Sequence, residues 1–169
     1  MGRFAFVRLA LLLVALPLSA TGAPNSCSSG WFTYNNSCYK VFKKFKTWNN
    51  AEMFCMDQEK GCHLASIHGA AESLQLANYV SQYLTFINVW IGLRDPKRRR
   101  VWQWSDGSRT NYTPWKRGEP NNLWYNEYCA ELWSWSGYIY WNDESCSSLR
   151  AFLCKCPLQP QSEGSTWEG

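Results

Sequence analysis

Eight cysteines in a chain of 169 residues constrain the fold more than any other feature. They are Cys27, Cys38, Cys55, Cys62, Cys129, Cys146, Cys154 and Cys156. What precedes them decides how they are read. Arg3 and Arg8 flank a short basic start, Leu9 to Leu18 is an apolar run, and the small residues Ser19-Ala20-Thr21-Gly22-Ala23 follow. This is the layout of a secretory signal peptide over residues 1–23, too short in its apolar part to cross a bilayer. A secreted chain meets an oxidising compartment, so disulfides are the default state of these cysteines. Spacing alone leaves 105 pairings open. Zinc is the competing reading and fits poorly. Cys154-Lys155-Cys156 lacks the two-residue gap of a zinc knuckle, and no Cys–His cluster lies near it.

What remains after the leader is the length of one domain. Hydrophobic residues at 46% and charged residues at 18% exclude wholesale disorder. Eleven Trp, nine Tyr and eight Phe make the chain unusually aromatic. The formal net charge is +4, and two of those charges, Arg3 and Arg8, fall in the leader. A nucleic-acid binder is therefore not indicated. No second apolar stretch is long enough to span a membrane, so the mature protein is expected to be extracellular without membrane insertion. Two sequons, at Asn35 and Asn111, are N-glycosylation candidates on surface loops.

Residues 27–46 read as an aromatic β-hairpin about the Asn35-Asn36 turn. Thr47 is placed to cap a helix carrying Trp48, Ala51, Phe54 and Cys55 at helical spacing. A second helix is expected within 70–84, with Leu74, Ala77, Val80 and Leu84 on one stripe. Strands are expected at 89–93 and 101–104, with Trp90, Trp102 and Trp104 in the core, and closing strands at 138–142 and 151–155. Residues 105–127, rich in Gly, Pro and Asn, read as a long loop, and such loops inside compact domains are usually functional. Residues 24–156 form the expected domain, and 157–169 read as a disordered tail.

Charge placement is the most informative feature. From Gly118 to Leu149 there is no Lys or Arg, yet the window holds Glu119, Glu127, Glu131, Asp143 and Glu144 among several tryptophans. Ring-rich segments pack, so some of these carboxylates are withdrawn from water, and unpaired buried charge is expensive. A metal ion is one natural partner. Lys or Arg from elsewhere in the fold is the other, and charge alone does not choose. The donors on offer are hard oxygens, namely Glu119, Asn121, Glu127, Asn142 and Asp143, which suit Ca²⁺. The window does not match an EF-hand loop.

At this point the residues resemble a known family. Trp90-Ile91-Gly92-Leu93, Glu119-Pro120-Asn121, Trp141-Asn142-Asp143, the Cys129/Cys146 spacing and Phe152-Leu153-Cys154 occur in the order found in C-type lectin domains. The chain is most similar to the secreted snake venom C-type lectins, whose signals begin like Met1-Gly2-Arg3-Phe4. The resemblance implies an α+β, disulfide-stapled C-type lectin-like fold: two helices, two small antiparallel sheets and a long calcium-binding loop. It implies the pairs Cys27–Cys38, Cys55–Cys154 and Cys129–Cys146. Venom lectins with a Gly-Cys-His-Leu-Ala-Ser segment and a Cys-x-Cys ending add a fourth, here Cys62–Cys156. It also implies one calcium ion held by Glu119, Asn121, Glu127, Asn142 and Asp143, the same five residues contacting the sugar, and a cis bond before Pro120. Glu-Pro-Asn accompanies mannose-type sugars with equatorial 3- and 4-hydroxyls in that family, and Gln-Pro-Asp accompanies galactose. A second ion is not expected, because Asp95 matches one of its ligands but Arg99 and Asn122 stand where acids would help. The position of an interchain cysteine in related galactose lectins is Arg109, so a homodimer, if formed, is expected to be noncovalent.

Three further signals complete the reading. Lys97-Arg98-Arg99-Arg100 is first a solvated turn between strands and, as the alternative, a face for heparin or another anionic glycan. Trp124 is a candidate sugar-stacking residue, with packing as its alternative. His63 and His68 are sequence-remote from the acidic window, and neither Gly-x-Ser-x-Gly nor His-Glu-x-x-His occurs, so no enzyme is expected. The function read from the sequence is calcium-dependent binding of mannose-type glycans on cell-surface glycoconjugates, with agglutination following if the chain is multivalent. The rival is a venom lectin-like protein that binds coagulation factors or platelet receptors. Such relatives usually lose sugar-site ligands, which are intact here.

Overall fold

The computed structural model describes residues 27–158. The expected signal peptide and residues 159–169 of the expected tail lie outside the described residues. Strands β1 (Phe32–Tyr34) and β2 (Ser37–Lys46) form the expected hairpin, with Asn35 at φ 50° in the turn, a conformation Asn tolerates well. Helix α1 (Trp48–Met56) follows directly, and Thr47 Oγ1 accepts from the Asn50 N–H at 3.4 Å. Its buried face is Trp48, Ala51 and Cys55, which the 3.6-residue period places together.

Helix α2 (Ala70–Ser81) occupies the expected segment, but its buried stripe differs. Leu76, Ala77 and Val80 face the core and Leu84 is buried beyond the helix end, whereas Leu74 is 49% exposed. Leu74 and Leu76 cannot share a face two residues apart on a helix, and Leu76 wins the core position.

The remaining strands are β3 (His63–Leu64), β4 (Val89–Arg94), β5 (Gln103–Trp104), β6 (Cys129–Leu132), β7 (Trp141–Glu144) and β8 (Arg150–Pro157). They form two antiparallel ladders, β1-β2-β8 and β4-β6-β7, joined where β4 and β8 run parallel at Val89–Ala151 and Trp90–Phe152. The expected closing strand at 138–142 begins only at Trp141, because Tyr138 adopts φ 70° and 134–136 forms a tight turn. Strand β6 has no counterpart in the sequence reading. Its four residues are all buried, so the two-residue alternation that marks a half-exposed strand is missing.

Trp90 and Trp104 are buried as expected, while Trp102 is only partly covered and lies 4.8 Å from the ring of Trp115. Two indole bonds tie β4 to α1 and to β2. Trp48 Nε1 donates to the Ile91 carbonyl at 2.8 Å, and Trp90 Nε1 donates to the Lys46 carbonyl at 3.0 Å. Gly92 explains its place in the Trp-Ile-Gly-Leu run: a Cβ there would stand 2.5 Å from the Leu64 carbonyl oxygen.

Four disulfides join Cys27–Cys38, Cys55–Cys154, Cys62–Cys156 and Cys129–Cys146, the pairs the resemblance implied. No thiol remains free for an interchain bond, and Arg109 is exposed. No described helix is long and apolar enough to cross a membrane.

Candidate functional site

The long loop returns to the sheet at β7, and there the acidic window condenses. Trp141 N donates to the Pro114 carbonyl and Lys116 N to the Trp141 carbonyl, at 2.9 and 2.8 Å, which holds the loop against β7. Alternation on β7 buries Trp141 and Asp143 and leaves Asn142 and Glu144 half-buried. The bond Glu119–Pro120 is cis.

Asp143 is the centre of the arrangement. Its carboxylate is fully buried and accepts from the backbone N–H groups of Asn121 at 3.0 Å and Asn122 at 2.8 Å. Glu119 Oε2 accepts from the same Asn121 N–H at 3.1 Å. Burial raises the Glu119 carboxyl above its ordinary value, the adjoining Asp143 carboxylate raises it further, and Lys116, 3.6 Å away, offsets this only in part. Glu127 accepts from Leu123 N at 2.6 Å. It too is raised, first by burial and then by Asp143, Glu144 and Glu119. Asn121 is exposed, and Asn142 directs its amide nitrogen to Glu131 Oε1 at 3.0 Å and to the Asp143 carbonyl at 2.8 Å.

The loop thus brings Glu119, Asn121 and Asp143 into direct contact. Glu127 joins them through Asn122, whose Oδ1 accepts from the Glu127 N–H at 2.9 Å and whose own N–H donates to Asp143, and Asn142 joins through its bond to the Asp143 backbone. No three His, Cys, Asp or Glu side chains converge tightly on one point among the described residues, so this set holds an ion only if carboxamide oxygens contribute. The donor chemistry fits a hard divalent cation on that condition. The charge imbalance favours the same conclusion, since Glu127 has no cation partner among the described residues.

The competing account, pairing with cations from elsewhere, holds for the other acids. Arg150, one residue beyond the window, donates from Nε to Glu131 at 2.7 Å and from Nη2 to Glu144 at 2.6 Å. Arg100 reaches Asp143 at 3.4 Å. The sequence places Glu131 in the acidic window and Arg100 in the basic run but gives neither this pairing, and it does not single out Arg150. A carboxylate at the centre of a fully apolar-looking strand was the available signal for Glu131.

Asp95 does not face this set. Its buried carboxylate accepts from the backbone N–H groups of Arg99 at 3.1 Å and Arg100 at 2.7 Å. His63 Nδ1 lies 2.6 Å from Glu52, and His68 Nε2 lies 3.1 Å from Ser66 Oγ, so both imidazoles serve local structure. Asn35 and Asn111 are exposed, and Trp124 projects from the loop at 86% exposure.

Residues 44–156 match the model of the Lectin C-type domain. The chain belongs to the C-type lectin domain family. It is 59% identical to a C-type lectin of the lectoxin kind from Thrasops jacksonii over 92% of this chain and 99% of that protein. It is 54% identical to a C-type lectin named as a mannose-binding isoform from Oxyuranus scutellatus, with the same coverage of both. A galactose-binding isoform from Hoplocephalus stephensii is 48% identical, again over 92% and 99%. Among solved structures, human lithostathine superposes with a TM-score of 0.74 at 33% identity, covering 78% of this chain and 99% of that one. Domains of this C-type lectin family typically bind calcium, and its lectins are carbohydrate-binding proteins without enzymatic activity.

Proposed function

We propose that this C-type lectin is a secreted, calcium-dependent receptor for mannose-type sugars, the leader 1–23 being removed and residues 24–156 forming the functional domain. One ion is assigned to Glu119, Asn121, Glu127, Asn142 and Asp143. When bound, it supplies a positive centre whose remaining positions accept two vicinal sugar hydroxyls. The chain's part is to orient those oxygens and to bond the hydroxyls directly. Glu119 with Asn121 accepts from and donates to one hydroxyl, and Glu127 accepts from the other. Hydrogen bonds to charged groups contribute about 1.5–3 kcal/mol net.

The observation that carries this reading is that Glu119 and Asp143 accept from the same Asn121 N–H, at 3.1 and 3.0 Å, with Glu127 beside them lacking a cation among the described residues. Carboxylates so placed require a proton or a cation. The order Glu119-Pro120-Asn121 supports mannose over galactose, because exchanging acid and amide reverses which side donates. The relative named as a mannose-binding isoform supports the same choice, although a galactose-binding one is nearly as similar. Trp124, free of the core, is assigned to stacking on the sugar face. The protein-binding rival is disfavoured by the intact oxygen set.

A glycan array with and without calcium tests the proposal. Binding to mannose-terminated glycans, abolished by a chelator and eluted by mannose but not galactose, is expected. Chelator-resistant binding or elution by galactose refutes it.

A further inference from the structure

We propose a second binding site in this chain, a cationic cleft between the β4–β5 turn and the start of α1, which takes the anionic group of an acidic glycan, sulfate or carboxylate. The cleft is open and measures about 490 Å³, within the span typical of ligand sites. Its walls include Thr47, Asn49, Arg94, Arg98, Tyr128 and Ser147.

Three features make it an anion site. First, both arginines are stacked on rings: the Arg94 guanidinium lies 4.8 Å from Trp48, and that of Arg98 lies 4.8 Å from Tyr128. Stacking fixes the planar fork and leaves its N–H edge for a bidentate acceptor. Second, neither arginine has an ion-pair partner among the described residues. The one acid on the wall, Asp95, is buried with its carboxylate already held by two backbone N–H groups. Third, the start of α1, whose first turn carries no acid, lines the same cleft through Thr47 and Asn49; the Trp48 and Asn50 N–H groups are taken by the Cys146 carbonyl and Thr47 Oγ1, so its contribution is the positive potential of the helix end. The basic run 97–100 is thereby divided. Arg98 serves the cleft, and Arg100 turns to the loop, where it bonds Pro120.

A saccharide is favoured over a bare ion by the rest of the lining. Thr47, Ser147 and the carboxamide of Asn49 can bond hydroxyls. The cleft also shares the segment 126–128 with the calcium-site candidate, Glu127 lying between the cleft residues Asn126 and Tyr128. The site uses none of the five oxygen ligands, so it stands apart from the calcium reading.

Titration calorimetry of the full secreted protein in chelator at low salt tests it, with a heparin hexasaccharide, a hyaluronan hexasaccharide (carboxylate only) and inorganic sulfate as probes. The heparin fragment is expected to bind without calcium and without competition from mannose. Arg98→Gln and Arg94→Gln are each expected to weaken it about tenfold, the scale of one charge-assisted contact. The control Lys43→Gln/Lys44→Gln, on β2, should change it less than twofold. Binding of hyaluronan as well assigns the site to carboxylate and sulfate alike, and its failure to bind assigns it to sulfate. If the Lys control loses as much as the Arg variants, if inorganic sulfate binds as tightly as heparin, or if the fragment requires calcium or fails to bind, the site is refuted. Should Arg94→Gln unfold, the exposed Arg98 decides.

Discussion

The guanidinium of Arg100 lies 3.4 Å from the buried Asp143 carboxylate while donating to the Pro120 carbonyl at 2.7 Å. A cation from the β4–β5 turn is thus joined to the carboxylate at the centre of the acidic window. Its charge partly answers Asp143, and its second bond ties the Glu119–Pro120–Asn121 corner to the sheet. These two effects have opposite consequences for an incoming ion.

In Arg100→Gln the competition for Asp143 is removed, so calcium affinity should rise, by roughly tenfold at most given near-surface screening. The metal-free protein should lose about 1–2 kcal/mol, because the Pro120 bond weakens and Asp143 keeps only its backbone donors. Calcium calorimetry and urea melts in chelator separate the two. A fall in calcium affinity would show Arg100 to act as scaffold rather than competitor.

Glu131 is fully buried on β6 and accepts from Arg150 at 2.7 Å, Asn88 at 2.7 Å and Asn142 at 3.0 Å. Glu131→Gln strips the charge that Arg150 answers and disturbs the carboxylate oxygen that orients the Asn142 amide. Breaking a buried pair from one side costs about 3–5 kcal/mol. Arg150 retains Glu144, so the lower end of that range is expected, together with weaker calcium binding through the released Asn142. Full stability in a urea melt would mean that Arg150 and Glu144 suffice without Glu131.

Much of the fold is legible because local signals act alone. The Asn35 turn, the Thr47 cap and the spacing of Trp48, Ala51 and Cys55 need no tertiary information. Leu74 is misplaced by periodicity because two leucines two residues apart compete for one face, and only the packed sheet chooses Leu76. Strand β6 and the late start of β7 depend on burial from both sides and on a positive φ at Tyr138, neither of which is written in residue period. At the candidate site, Asn121 and Asn142 are legible only through the family motif, and Glu119, Glu127 and Asp143 as a charge imbalance. The cations that answer part of it are not. Arg100 and Arg150 come from outside the window, and contacts between residues 43 and 19 apart in sequence leave no periodic trace.

Gly92 is the clearest case of a residue whose identity the packing dictates. A Cβ would meet the Leu64 carbonyl oxygen at 2.5 Å and Ser105 Oγ at 2.9 Å. The nearer atom is backbone in β3, which pairs with β8 and cannot yield locally. Gly92→Ala should therefore cost about 1–3 kcal/mol, as overpacking does, while leaving calcium affinity of the folded fraction unchanged. Thermal melts and calcium titration of the same sample check both parts. A neutral melting temperature would mean that β3 moves freely.

The raised carboxyls of Glu119 and Glu127 set the sign of the pH dependence. In the metal-free protein both groups hold a proton more readily than in the unfolded chain, where the ordinary value is 4.5. Their contribution to stability is present below that value and is lost as pH rises through the raised folded values. Acidifying the metal-free protein from neutrality toward the ordinary carboxylate range should therefore raise its melting temperature. Glu119→Gln/Glu127→Gln should flatten that rise. With calcium bound the sign inverts, because protons displace the ion from the same oxygens, and stability and mannose binding fall together on acidification. Melts across pH 7 to 5, with calcium and after exhaustive removal of it, decide the matter. Parallel curves in the two conditions would mean that these carboxylates do not hold the ion.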